Sequence, residues 1–354
     1  MKVIDVSGFG HSGKTAVTDL LREVEGVHAH PHSFEFGLLR LPDGIMDLAH
    51  ALTDKTWSPS RSDRAIKRFL RLCQVFQATY KNFLEIDLQE LSLAYIDEIT
   101  EEKISVHGWY DSLYECPRFN LAKELARSIG LLGLYRKVKR PASKLNISKK
   151  PYEDVYLSSG FNFLEATKAF LEKVLFNSIF SEKSALLLNN AFEPFSPLES
   201  LKYFDHASCI IVRRDPRDIY ASVKLYEESF IPPFEKENSR YSLQFLLNLK
   251  RDMLGLDDLN KFISRQKLYH SKTNSSLGNE KVLLVDYEDL VIHYKETTSR
   301  IFDFLEIPTS SHRDKLNFFD PRNSKQNVGI WRKLDDRDTI SVLEANLADQ
   351  LYDL

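Results

Sequence analysis

VIDVSGFGHSGKTAVTDLL, residues 3–21, decides the fold. Val3 to Val6 is a short apolar run that reads as a buried strand. Ala16, Val17, Leu20, Leu21 and Val24 then recur at helical spacing, and Gly26 is expected to end that helix. Between the two lies a complete G-x4-G-K-T pattern, Gly8 through Gly13, Lys14 and Thr15. Glycines let a backbone curl so that successive N–H groups face an anion, and the following helix adds its positive end. Lys14 contributes a charge and Thr15 a hydroxyl. A strand–loop–helix of this kind is a phosphate site, but it does not say which nucleotide.

Working outward, apolar strands alternate with helical stretches at both ends of the chain. VHAH (27–30), ALLLNN, CIIVRR (209–214) and KVLLVDYEDL (281–290) read as strands, the last leading into a turn. SFEFGLLRL (33–41) is expected to begin a helix capped by Ser33, PLESLKYF a short one, and DPRDIYASVKLY one with Pro216 in its first turn. Residues 242–268 read as helical, and Tyr294 to Leu305 as a helix ending before Pro308. Strands separated by helices predict an α/β fold, a mostly parallel sheet flanked by helices. Residues 55–180 read as a mostly helical insertion on the acceptor side of one domain spanning 1–354. Within it RKVKRPASKLNISKKPYED (136–154) is basic and aperiodic: a solvated surface segment, or else a lid or landing strip for an acidic acceptor.

Composition bounds the partners. The chain has 354 residues, 43% hydrophobic and 28% charged, with a net charge of −3. That balance is globular and gives no overall attraction to nucleic acid or anionic membrane, so any anion site is local. Cys73, Cys116 and Cys209 are few, scattered and odd in number, which points to a reducing, cytoplasmic setting. No run of about 18 apolar residues predicts a membrane span.

A second anion site stands in CIIVRRDPRDIYASVKLY. Arg214 ends a strand, and Ser222 lies eight residues on, about two turns into the next helix. A guanidinium fork with a hydroxyl suits a phosphate monoester. An ordinary kinase has no need of it; surface arginines in salt bridges are the alternative.

These residues resemble the nucleotide motifs of sulfotransferases, which use 3′-phosphoadenosine 5′-phosphosulfate (PAPS). R-[DN]-P-[RK]-D-x4-S after an apolar strand is similar to that family's 3′-phosphate motif, and a donor with phosphate at both ends of adenosine accounts for two anion sites. His11-Ser12-Gly13-Lys14-Thr15 resembles the 5′-phosphosulfate loop, with His11 where the family has lysine or arginine and Lys14 on a threonine. VDYEDLVIHYKETTSRIFDFLEI resembles the stretch whose tyrosine lies near the adenine, here Tyr287. SKQNVGIWRKL (324–334) resembles the segment that closes over the 3′-phosphate: Lys325, Gly329, Trp331 and Arg332 match, while Ser324 and Gln326 replace an arginine and a glycine.

The resemblance implies that residues Gly10 to Thr15 hold the phosphosulfate and that Lys14 or His11 meets charge on the departing phosphate. Arg214, Ser222, Lys325 and Arg332 would hold the 3′-phosphate. The product would be adenosine 3′,5′-bisphosphate, with no metal required. The base for the acceptor hydroxyl is expected to be Glu35, just after the second strand, with His30 or His32 as alternatives. Asn189 and Asn190 stand where the phenol- and steroid-sulfating branch carries a histidine, which favours a saccharide or small-metabolite hydroxyl. Two other readings compete. VLLVD (282–286) can be a strand whose Asp286 holds magnesium in a kinase or NTPase, and a nucleotide-binding module without activity would keep the same motifs. His28, His30 and His32 alternate on one face, but no cysteine or partner cluster supports a closed metal site.

Overall fold

The computed structural model describes residues 2–32, 34–107, 152–176, 185–226 and 259–354. Five strands, β1 (Lys2–Gly8), β2 (Val27–Ala29), β5 (Ala185–Asn189), β6 (Ala207–Arg213) and β7 (Val282–Asp286), form one sheet in the order β2-β5-β1-β6-β7. Every neighbouring pair in it is parallel. β1 takes the centre because six of its seven residues are buried, so both of its faces must be covered.

Alternation along the strands sorts the two faces. Ile4, Val6, Ile210 and Val212 pack with Val17, Leu20 and Leu21 of α1 (Lys14–Arg22) and with Ile301, Phe302 and Leu305 of the helix Tyr294–Leu305. Val3, Leu186, Leu188, Cys209 and Ile211 face the other way. They meet a helical layer built from Ile45–Thr53, Pro59–Leu84, Leu88–Ile99 and Phe163–Leu175. The chain leaves β1 through α1 on one face, while Leu201 and Phe204 of the β5–β6 connection lie on the other. β5 and β6 thus flank β1 from opposite sides. That arrangement opens a crevice at the carboxyl end of β1, where open α/β sheets bind ligands.

Several expectations need correction. Residues 34–41 form no regular helix. Phe34, Phe36, Leu38 and Leu39 are all buried, so there is no polar face for a surface helix, and the segment runs extended and then turns. Asp43, at φ 67, and Gly44 precede the actual helix, Ile45–Thr53; Ser33 lies outside the described residues. α1 ends at Arg22, four residues before Gly26, whose φ of 86 turns the chain toward β2. The described part of the 55–180 region is mostly helical, with one strand pair in it that the sequence reading did not name. β3 (Glu102–His107) and β4 (Tyr152–Leu157) pair antiparallel, with Ile104 opposite Val155. After β7 the chain does not turn but enters a short helix, Tyr287–Ile292. Of the 242–268 stretch the described part is the start of a helix Leu259–Asn274. Residues 136–151 of the basic stretch lie outside the described residues.

Candidate active site

Local chain geometry makes the loop after β1 a cradle. The N–H of Ser12 donates to the Phe9 carbonyl (3.1 Å), and that of Ala16 to the Gly13 carbonyl (2.9 Å). His11 and Gly13 both take positive φ, 63 and 85. Gly13 is needed on two counts. It caps α1 in the left-handed region, and a Cβ there would lie 2.3 Å from Cδ2 of Tyr287. No acidic residue occupies the first turn of α1, so its N-terminal dipole is left for an anion.

Lys14 is buried, and burial holds its pKa below the ordinary lysine value. The charge of Glu35 opposes that shift, so the two side chains share one electrostatic neighbourhood. Glu35 is half-buried and accepts from Asn190 Nδ2 at 3.3 Å. Asn190, at φ 56, is itself gripped through its carbonyl by Arg40 Nε (2.6 Å). The turn carrying Asn190 is fixed from beneath by Asp5. Its Oδ1 accepts the Ala191 N–H (2.8 Å), and its Oδ2 accepts the Ser7 hydroxyl (2.5 Å). Burial pushes the Asp5 carboxyl up to about 7. Sequence reasoning missed Asp5, Arg40 and Asn190 as site residues. The available signal was a carboxylate inside an otherwise apolar central strand.

The second anion motif folds onto the first. Arg214 Nη1 donates to the His11 carbonyl (3.1 Å) and to Ser222 Oγ (3.0 Å), and its Nη2 to the Asn327 carbonyl (2.6 Å). Its guanidinium lies 5.1 Å from the centre of the Tyr287 ring. The Tyr287 hydroxyl donates to the Ser324 carbonyl (3.3 Å), and burial raises its pKa. Asp218, in the helix Pro216–Tyr226, accepts the N–H groups of Gly329 (2.8 Å) and Trp331 (3.1 Å). Arg217 stacks over Trp331 at 4.5 Å while it forks onto Asp215. The 324–331 segment is therefore tied down along the motif helix.

A cleft of about 410 Å³ opens between these groups, lined by His11 to Ala16, Asp19, Arg214, Tyr287, Phe318 to Asp320, Asn323, Ser324 and Asn327. The structure thus brings Ser12, Gly13, Lys14, Thr15, His11, Arg214 and Tyr287 to one cavity. Gly10, Ser222, Glu35, Lys325, Gly329, Trp331 and Arg332 do not line it. Gly329 and Trp331 anchor the backbone to Asp218, while the Arg332 guanidinium lies 5.1 Å over the Trp331 ring. Like Glu35, neither alternative base lines the cleft. His30 packs on Phe34, and burial, aided by His28, holds it down to about 4. His32 binds Asp19 at 2.8 Å. Asp286 is engaged by Arg213 through both carboxylate oxygens (3.1 and 3.3 Å).

Residues 164–311 match the family model described as "Sulfotransferase family". The sulfotransferase domain of the Synechococcus PCC 7002 olefin synthase is similar at 14% identity, over 99% of this chain and 94% of that one, with a TM-score of 0.35. The sulfotransferase STF9 from Mycobacterium avium is similar at 12% identity, over 100% of this chain and 77% of that one (TM-score 0.34). Retinol dehydratase, solved with androsterone and the inactive cofactor PAP, is similar at 14% identity, over 99% and 81% of the two chains (TM-score 0.34). Likenesses this distant transfer no substrate. No curated protein matches the sequence. Among the described residues no helix is long and apolar enough to cross a membrane.

Proposed function

We propose that this chain, which belongs to the sulfotransferase family through residues 164–311, moves a sulfuryl group from PAPS to an acceptor hydroxyl, with a carbohydrate hydroxyl as the preferred acceptor. The observation that carries this is the junction at Arg214, where one guanidinium joins the phosphate loop at His11, the Ser222 hydroxyl and the 324–331 segment. Two anion-binding elements meet at one residue, as a donor phosphorylated at both ends of its nucleoside requires. The residues present fit that donor. Ser12 Oγ is buried without a partner among the described residues, and the buried Lys14 ammonium lies on the same cleft.

When bound, PAPS supplies the activated sulfuryl group, so the transfer as proposed uses no metal. The N–H groups of residues 10–15 and the start of α1 hold the 5′ end. Lys14 stabilises charge on the departing phosphate oxygen, with His11 the alternative. Arg214 and Ser222 hold the 3′-phosphate, with Lys325 and Arg332 of the anchored 324–334 segment as its further cations. Tyr287 walls the adenine side. Glu35, held by Asn190, takes the proton of the acceptor hydroxyl.

We further propose that residues 1–354 act as one domain, in the cytoplasm; the two described cysteines, Cys73 and Cys209, are buried free thiols. The kinase reading is disfavoured because Arg213 occupies the carboxylate, Asp286, that a magnesium ion would need. Transfer of labelled sulfate from PAPS to a panel of saccharides and small hydroxylated metabolites tests the reading. Label should appear in an acceptor and vanish with Glu35→Gln; turnover of Mg-ATP in its place would refute it.

A further inference from the structure

Glu23 stands at the far end of α1 from the phosphate loop, nine residues or about 14 Å along the helix. It is wholly buried, and it caps the C-terminus of α1, the end where a helix dipole disfavours an acid. Such a placement costs stability unless the carboxyl is fully engaged, and here it is. Its Oε1 accepts the N–H groups of Phe318 (2.9 Å) and Phe319 (2.8 Å), and its Oε2 lies 2.7 Å from Nε2 of the buried His312. The backbone adds to the tie. The Glu23 carbonyl accepts the Asp314 N–H (3.3 Å), and the Glu25 N–H donates to the Ser311 carbonyl (2.8 Å). Residues 313–319 form no regular helix or strand, so their N–H groups need partners from elsewhere, and Glu23 supplies two. The proposed transfer makes no use of this carboxyl.

The two residues that Glu23 holds line the nucleotide cleft. Phe319 is buried, while Phe318 is 49% exposed, with the Arg22 guanidinium 4.5 Å from its ring centre. Beyond them Asp320 caps the short helix Pro321–Ser324 by accepting the Arg322 N–H (2.9 Å), and the Ser324 carbonyl accepts the Tyr287 hydroxyl (3.3 Å). This stretch of wall is thus tied to Tyr287 at one end and to Glu23 at the other. None of its cleft-lining residues, Phe318 to Asp320, Asn323, Ser324 and Asn327, is cationic, so their side chains bring no positive charge to a phosphate. Aromatic rings and amides suit the uncharged nucleoside part of a ligand. One carboxyl therefore links the helix that opens at the phosphate loop to the wall that meets the nucleoside.

We infer that Glu23 is a positioning residue for donor binding: its carboxyl sets the Phe318–Phe319 wall against α1 and so fixes the cleft for the nucleoside. The inference rests on the sulfuryl-transfer reading above for what fills the cleft. The full chain and its Glu23→Asp, Glu23→Gln and Phe318→Ala variants are titrated by calorimetry with adenosine 3′,5′-bisphosphate and with inorganic pyrophosphate, and their melting is followed in parallel. Aspartate is too short to keep both N–H groups, so Glu23→Asp should weaken the bisphosphate by roughly 5–50-fold, the range for lost hydrogen bonds to a carboxylate, with pyrophosphate affinity almost unchanged. Glu23→Gln keeps an oxygen for both N–H groups and should bind the bisphosphate almost as the parent chain does. Phe318→Ala should repeat the Glu23→Asp pattern. In the parent chain, amide exchange at Phe318 and Phe319 should slow with the bisphosphate but not with pyrophosphate, which reads the link even where Glu23→Asp does not fold. Undiminished bisphosphate binding by Glu23→Asp, equal loss of both ligands, a Glu23→Gln as weak as Glu23→Asp, or exchange at Phe318 and Phe319 indifferent to the bisphosphate would each overturn the role of Glu23 and leave the sulfotransferase reading standing. Failure of the parent chain to bind the bisphosphate at all would remove both.

Discussion

Arg214 donates to the carbonyl oxygen of His11 at 3.1 Å, across 203 residues of sequence. A residue just after β6 thereby holds the loop after β1, and the same nitrogen reaches Ser222 Oγ. Arg214→Ala should weaken adenosine 3′,5′-bisphosphate binding by roughly 10–100-fold, the range expected for lost charge-assisted hydrogen bonds. Ser222→Ala should cost less, because it removes a neutral partner. Calorimetric titration of both variants against the bisphosphate checks the order.

Glu35 and Lys14 should separate in their effects. Glu35→Gln is expected to lower kcat by about 10²–10⁴-fold, the contribution of a general base, while leaving bisphosphate affinity within twofold. Asn190→Ala, which frees the Glu35 carboxylate from its amide partner, should fall between the two. Because burial holds the Lys14 pKa low, donor binding should weaken on the alkaline side at a lower pH than an ordinary lysine would give. Steady-state kinetics across pH, on all three proteins, reads these.

Gly13→Ala should destabilise the loop. Its φ of 85 disfavours any side chain, and the added methyl would fall 2.3 Å from the Tyr287 ring. A loss of about 1–3 kcal/mol is expected, visible as a lower Tm together with lost nucleotide binding.

Two buried carboxyls give stability a definite pH dependence. Asp5 is raised to about 7 and Glu288 to about 8, both chiefly by burial. The folded state therefore holds protons that the unfolded chain has already released near pH 4. The stability from these groups is full below that pH and is lost as pH rises toward 7 for Asp5 and 8 for Glu288. Chemical denaturation from pH 5 to 9 should show stability falling over that range, with a shallower fall in Asp5→Asn and in Glu288→Gln.

Much of this was legible in the sequence, and the limits have physical causes. The phosphate loop and the Arg214–Ser222 pair are local patterns, so spacing alone placed them at strand–helix junctions. Tyr287 was found, but its ring packs on Gly13 and Arg214. Segment 34–41 was misread because a fully buried extended run and a helix start carry the same apolar residues. The β3–β4 hairpin was missed because its strands are 44 residues apart, from His107 to Tyr152 counting between them, and pairing at that distance leaves no periodic trace. Asp5, Arg40 and Asn190 act through contacts across 150 residues or more, which no spacing rule reports. The Asp218 anchor explains why Gly329 and Trp331 match a motif while standing outside the cleft: they hold the backbone of the segment in place.

The central claim is that the loop at residues 8–15 and Arg214 together hold one nucleotide phosphorylated at both ends. Calorimetric titration with adenosine 3′,5′-bisphosphate and with ATP, each with and without magnesium, tests it most directly. The account predicts tight, metal-independent binding of the bisphosphate, weak binding of ATP, and loss of the difference in Arg214→Ala. Magnesium-dependent ATP binding with no preference for the 3′-phosphate would contradict it.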